Sequence, residues 1–152
     1  MRQRTKSETL PRIDFYVLAD QAHNARLLFA CRLAEKAYGL GHKVYLHTES
    51  GEQAQQLDDL LWSFRQGSFV PHALYPASPE DDSPVLIGWT ETPTIEADIL
   101  INITQTVPAF FERFQRVAEL VNQHPDTLAK SRERFRIYRN KGYSPISHRV
   151  GK

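Results

Sequence analysis

Apolar residues along this chain follow two periods in alternation. Ile13–Leu18 (IDFYVL) is a short, β-rich apolar run and reads as a buried strand. From about Gln21 to Tyr38 the period changes. Leu27, Cys31, Ala34 and Tyr38 recur at helical spacing, and Gly39 and Gly41 supply a stop. Lys43–His47 (KVYLH) reads as a second strand. Ser50, with Gln53 three residues on, has the spacing of a capping box and opens a helix that runs to about Phe64. Within it Leu57, Leu60, Leu61 and Phe64 sit at i, i+3, i+4 and i+7, the stripe of a helix that packs on one face.

The pattern then loosens. Pro76–Pro84 (PASPEDDSP) is a proline-rich acidic loop, Val85–Trp89 (VLIGW) reads as a strand, and a further loop leads to Asp98. Asp98–Ile103 (DILINI) is the most apolar strand candidate and belongs at the centre of a sheet. Residues 109–122 (AFFERFQRVAELVN) fit two readings, one continuous helix or a strand within RVAELV. A last helix starts near Asp126, read as its N-cap, and ends near Gly142. No internal repeat is visible. Strands alternating with helices predict a single α/β domain with a largely parallel sheet flanked by helices.

Composition narrows the class. A length of 152 residues suits one domain, and 41% hydrophobic with 24% charged residues is ordinary for a globular chain. No apolar run approaches the ~20 residues of a membrane span. The first twelve residues are polar and basic, without the apolar stretch of a secretory signal. Cys31 is the only cysteine, which excludes an internal disulfide and fits a reducing cytoplasm. The net charge of +1 does not announce a nucleic-acid binder. The charge is nevertheless uneven: +3 over residues 1–12, −8 over 13–125 and +6 over 126–152. The C-terminal segment is a basic feature on an acidic body.

An α/β chain of this size invites a nucleotide site, which needs glycines in the first strand-to-helix turn so that backbone N–H groups can approach phosphate. Here that turn is ADQAHNAR, residues 19–26, with no glycine, and no GxGxxG, GxxxxGK[ST] or GxSxG occurs elsewhere. The six histidines form no HxxxH or HExxH pair on a predicted helix, so no zinc site is expected. His47, near Glu49, reads as a polar residue at a sheet edge rather than half of a catalytic dyad. Cys31 reads as a small core residue rather than a nucleophile. Asp58 and Asp59 are adjacent on a helix and diverge. No catalytic residue, metal set or cofactor site emerges.

Two surfaces remain. Trp62 lies about 150° from the centre of the Leu57–Phe64 stripe, so it should face solvent, and Phe69, Val70 and Pro71 follow in a short extended run. This group is either a contact patch or a satellite core under the loop. On the last helix Leu128, Ser131, Phe135 and Tyr138 form a seam, with Arg132, Arg136 and Arg139 on the adjoining flank. An aromatic seam bordered by arginines suits an acidic peptide with an aromatic side chain. It also suits a nucleic-acid backbone, or a core seam beside a solvated flank.

LDDLLWSFRQGSFVPHAL, an acidic Pro-rich loop, DILINI and a terminal SRERFRIYRNKGY together resemble the chi subunit family of bacterial DNA polymerase III holoenzyme. The resemblance runs from about Ile13 and leaves residues 1–12 as a basic extension. It implies one α/β domain, similar to a nucleotide-binding fold but without a phosphate loop, and favours a strand at RVAELV. It further implies a non-catalytic, cytoplasmic accessory subunit in DNA replication, with no cofactor, no membrane association and no tight direct nucleic-acid binding. The implied partners are the psi subunit, which links chi to the clamp loader, and the acidic C-terminal tail of single-stranded DNA-binding protein. In some bacteria a repair helicase takes the place of psi. Carried onto this sequence, the psi- or helicase-facing patch matches Trp62, Phe69 and Pro71. The tail site matches Arg132, Phe135 and Arg136, with Val121 and Lys130. The competing expectation, from the fold alone, is a degenerate nucleotide-binding enzyme.

Overall fold

The computed structural model describes residues 11–22, 24–67, 69–77, 81–89, 93 and 97–150. Most of the basic extension and part of the acidic loop therefore lie outside the described residues. The elements are β1 (Arg12–Leu18), α1 (Ala25–Gly39), β2 (Val44–His47), α2 (Gly51–Ser63), β3 (His72–Leu74), β4 (Val85–Gly88), β5 (Ile99–Asn102), β6 (Arg116–Val121), α3 (Pro125–Asn140) and β7 (Ile146–Val150). The strands form one sheet in the order β3-β4-β2-β5-β6-β1-β7, and every pairing is parallel.

Side-chain alternation along the strands builds two cores. Val44 and Leu46 of β2, Val85 and Ile87 of β4, and Ala118 and Leu120 of β6 pack under α1 and α2. Tyr45, Leu100 and Val117 point to the opposite face, where α3 and a 3-10 turn at Phe111–Arg113 close over them. β5 is the fourth of seven strands and all four of its residues are buried, as its continuous apolar run requires. RVAELV is strand β6, which resolves the ambiguity at 109–122: the turn at Phe111–Arg113 ends before it.

Several boundaries differ from the sequence reading. α1 begins at Ala25 rather than Gln21, because Asp20 turns the loop back on itself by accepting the Ala22 N–H at 3.0 Å. Its seam closes on buried Ala37, leaving Tyr38 36% exposed. The N-cap of α3 is His124, whose Nδ1 accepts the Asp126 N–H at 3.2 Å, with Pro125 in the first turn. The α2 cap is as expected: Ser50 Oγ accepts from Gln53 N at 3.2 Å, while Gln53 Oε1 accepts from Glu49 N at 2.9 Å. His47 is not at a sheet edge. β2 is third in the sheet, and His47 is 9% exposed, stacked on Tyr45 and edge-on to Phe110. Burial lowers its pKa to about 4, so it is neutral. Cys31 is fully buried and its thiol is pushed up to about 12 by burial.

Both outermost strands escaped the sequence pattern. β3 is three half-buried residues, and β7 (ISHRV) is mostly exposed. β7 is tied to β1 by His148 Nε2, 2.8 Å from Asp14 Oδ1, while His148 stacks on Tyr16.

Candidate docking surfaces

The first surface grows from the end of α2. Leu57 and Leu61 are buried and Leu60 and Phe64 half-buried, so the opposite side of the helix carries Trp62 into solvent at 59% exposure. After the turn at Gly67, whose φ of 84° a side chain would disfavour, Val70 plugs into the core at 1% exposure. That anchor leaves Phe69 outside at 62% exposure, with its ring centroid 5.9 Å from that of Trp62. Pro71 is half-buried beside them. His72 supports the indole from beneath at 4.7 Å between centroids. Its Nδ1 donates to the Val70 carbonyl at 2.6 Å, and its Nε2 is 3.2 Å from Asp58 Oδ1. Trp62 and Phe69 thus form one exposed patch, not a satellite core, and half-buried Pro71 follows two residues after Phe69. His72 and Asp58 act as supports, a role the sequence reading had assigned to neither.

The second surface is a groove of about 570 Å³ between α3 and the β6-β1-β7 end of the sheet. Arg132, Phe135, Arg136 and Val121 all line it, joined by Arg139 and by Phe15 of β1. Phe135 is half-buried and packs on Phe15 with centroids 5.2 Å apart. Arg132, Arg136 and Arg139 are exposed, and among the described residues none forms an ion pair. Among the described residues no carboxylate lines the groove. Its potential is therefore positive over an apolar floor. Lys130 is exposed but does not line the groove. It lies about 140° around the helix from Phe135, so the structure does not bring it to the other four.

What holds α3 in place is a buried polar network. Glu119 of β6 is 0% exposed and accepts from Arg134 Nε at 2.9 Å, Tyr138 Oη at 2.6 Å and Asn102 Nδ2 at 3.0 Å. Burial raises the Glu119 pKa, against the lowering pull of Arg134 and its hydrogen bonds, and burial likewise raises that of the Tyr138 hydroxyl. Arg134 is 1% exposed. Helical phase was the available signal: Thr127, Ser131, Arg134 and Tyr138 are all buried and fall at i, i+4, i+7 and i+11.

The two surfaces lie far apart. α2 packs on one face of the sheet and α3 on the other. The Trp62 patch abuts His72 of β3 at one edge, whereas the groove reaches Ser147 of β7 at the opposite edge. Six strand spacings of ~4.8 Å put those edges roughly 29 Å apart. No group of histidine, cysteine or carboxylate side chains suited to a metal occurs among the described residues, and no described helix is long and apolar enough to cross a membrane.

Fold and surface together define a wholly parallel α/β domain with an exposed aromatic patch and a cationic groove. The chain belongs to the DNA polymerase III chi subunit family: the family described as DNA polymerase III chi subunit, HolC, matches residues 10–145. It is 45% identical over 141 residues to DNA polymerase III subunit chi of Pseudomonas aeruginosa, covering 93% of this chain and 98% of that one. To the same subunit of Escherichia coli it is 31% identical over 115 residues, covering 75% and 78%. Among solved structures, the C-terminal domain of the DEAD-box protein Dbp5 superposes with a TM-score of 0.60 at 11% identity, over 93% of this chain and 91% of that one. At that identity the likeness is one of fold alone. Membership makes the chain an accessory component of DNA polymerase III in replication.

Proposed function

We propose that this chain is a non-catalytic, cytoplasmic adaptor that joins single-stranded DNA-binding protein to the clamp loader. Its Arg132–Phe135–Arg136 groove, floored by Val121, takes the acidic C-terminal tail of that protein. Its Trp62–Phe69–Pro71 patch takes psi or, in place of psi, a repair helicase. The observation that carries the reading is the separation of the two surfaces on opposite faces and edges of one sheet, which leaves each free while the other is engaged. The chemistry of each surface fits its assigned partner. Guanidinium groups with no internal counter-ion pair with carboxylates, and the apolar floor beside Phe135 receives a terminal aromatic ring. Exposed ion pairs contribute only about 0–1 kcal/mol each and are screened by salt, so tail binding is modest and salt-sensitive, with specificity set by the apolar floor. The exposed Trp62 and Phe69 have the aromatic character of an interface hot spot.

Calorimetric titration with an acidic peptide ending in Phe tests the groove. Arg132→Ala should weaken binding by up to about fivefold, in line with one lost surface pair. An unchanged titration counts against the assignment. Trp62→Ala should lose psi in co-purification and keep the peptide. If a variant loses both, unfolding and not a docking face is responsible.

A further inference from the structure

A third crevice is used by neither docking surface, and its assignment does not depend on the adaptor reading. It has a volume of about 400 Å³, within the ~300–1,000 Å³ range of small-molecule sites. Gln21, Arg26, Gln105, Asn122, His124 and Thr127 line it, with Asp126 at the same mouth. It opens where the loops after β1, β5 and β6 meet. The chain leaves β1 towards one face of the sheet through α1, and leaves the neighbouring β6 towards the other face through α3. That divergence is a topological switch point at the carboxyl ends of the strands, where open α/β sheets place ligands.

Two arginines stand at this crevice, one in its wall and one behind it, among the carboxylates of Glu49, Glu119 and Asp126. Arg26, the second residue of α1, is 9% exposed. Its Nη1 donates to the Ile103 carbonyl at 2.8 Å, and its Nε is buried without a partner. Arg134 stands behind Gln105, with its Nη1 3.5 Å from Gln105 Oε1 and its Nη2 also buried without a partner. Glu119 is committed to Arg134, and Glu49 accepts the Gln105 N–H at 2.8 Å. Arg26 is therefore left hydrogen-bonded to a neutral carbonyl alone. Burial, followed by repulsion from Arg134, holds its pKa below the usual arginine range, against the raising pull of Glu49 and Glu119. α1 has neither a side-chain cap nor an acid in its first turn, so the positive end of its dipole is uncompensated. His124 accepts on Nδ1, which places its ring proton on Nε2 as a further donor. Among the described residues Asp126 is the one opposing charge in the lining, and it confines an anion to the Arg26 side.

We propose that this crevice is an oxyanion site that takes a phosphate group, seated on the buried Arg26 guanidinium and the first turn of α1. Recognition by guanidinium replaces the glycine turn that residues 19–26 lack. Inorganic phosphate and the 5′-phosphate of a nucleoside monophosphate share the required chemistry.

The test is titration of inorganic phosphate into the ¹⁵N-labelled full chain, at ionic strength held constant with sodium chloride. The amide resonances of Arg26, Gln105 and Thr127 should shift saturably, and those of Arg132 and Arg136 should stay in place. Gln21→Glu adds a carboxylate at the exposed rim without disturbing the core, and it should weaken binding on the order of tenfold. Adenosine monophosphate separates the sources: tighter binding than inorganic phosphate assigns a nucleotide, and equal or weaker binding assigns free phosphate. The proposal is overturned by no saturation at roughly 10 mM phosphate, ten times a millimolar Kd. Shifts centred on Arg132, or an unchanged affinity in Gln21→Glu, overturn it equally.

Discussion

Replacing Arg134 by alanine tests the idea that α3, and with it the cationic groove, is pinned by charge inside the protein. The guanidinium is 1% exposed and bonds a carboxylate that is 0% exposed. Its removal leaves Glu119 with Tyr138 and Asn102 as donors and no counter-charge. Breaking a buried pair from one side costs about 3–5 kcal/mol, a large share of the ~5–15 kcal/mol that holds a typical domain together. The melting temperature should fall by roughly 6–20 °C, at ~2–4 °C per kcal/mol for a chain of this size. Glu119 can escape the penalty by taking up a proton. A buried carboxylate whose folded pKa stands above its unfolded value opposes folding as pH rises through that interval. Loss of Arg134 removes a lowering influence and widens the interval, so the destabilisation should be larger at pH 8 than at pH 5. Urea denaturation followed by circular dichroism at both pH values measures this. Arg132→Ala, on the solvent side of the same helix, should stay within about 0.5 kcal/mol of wild type. The double variant Glu119→Leu with Arg134→Met should recover most of the loss, since apolar replacement of a buried pair is often neutral or stabilising. A folded Arg134→Ala protein within about 1 kcal/mol of wild type at pH 8 refutes the reasoning.

Further outcomes follow from single positions. His47 is neutral when folded, its pKa lowered from 6.5 to about 4, so stability is full above the unfolded value and is lost as pH falls from about 6.5 towards 4. The loss amounts to about 3 kcal/mol at ~1.36 kcal/mol per unit. His47→Phe keeps the ring against Tyr45 and Phe110 and should flatten urea midpoints across that window; an unchanged slope sinks the assignment. Gly88 ends β4 directly over Tyr45, where a new Cβ would meet the phenol oxygen and lie 3.1 Å from Cε1 of a ring that is 0% exposed. Gly88→Ala should therefore cost about 1–3 kcal/mol by overpacking, read from the urea midpoint, while Gly39→Ala, with open space around it, should not.

The central strands were legible because burial on both faces demands runs of β-branched and leucine residues, as in VLIG and ILIN. α2 was legible because its stripe and its cap obey the same 3.6-residue period, and that period alone put Trp62 outside. The edge strands were not. A strand paired on one side and half-exposed has no apolar run to show, and β7 is placed by its parallel pairing with β1 and by the contact between His148 and Asp14, 134 positions apart. His47 was misjudged for a related reason: a polar letter at a strand end says nothing about which strands flank it.

By itself the sequence determined which faces of its helices turn inward, the alternation of strand and helix, the outward side of α2 on which Trp62 stands and the basic character of the C-terminal segment. Each of these is a local consequence of side-chain periodicity or of counted charge. The tertiary structure alone decided which arginines are free and which are locked. Arg132 and Arg136 open onto a groove completed by Phe15, more than a hundred residues earlier, while Arg134 between them turns inward to a carboxylate on β6. It also decided that the two contact surfaces stand at opposite edges of the sheet. Strand order is a property of long-range pairing, and the residues of a strand carry no mark of their neighbour.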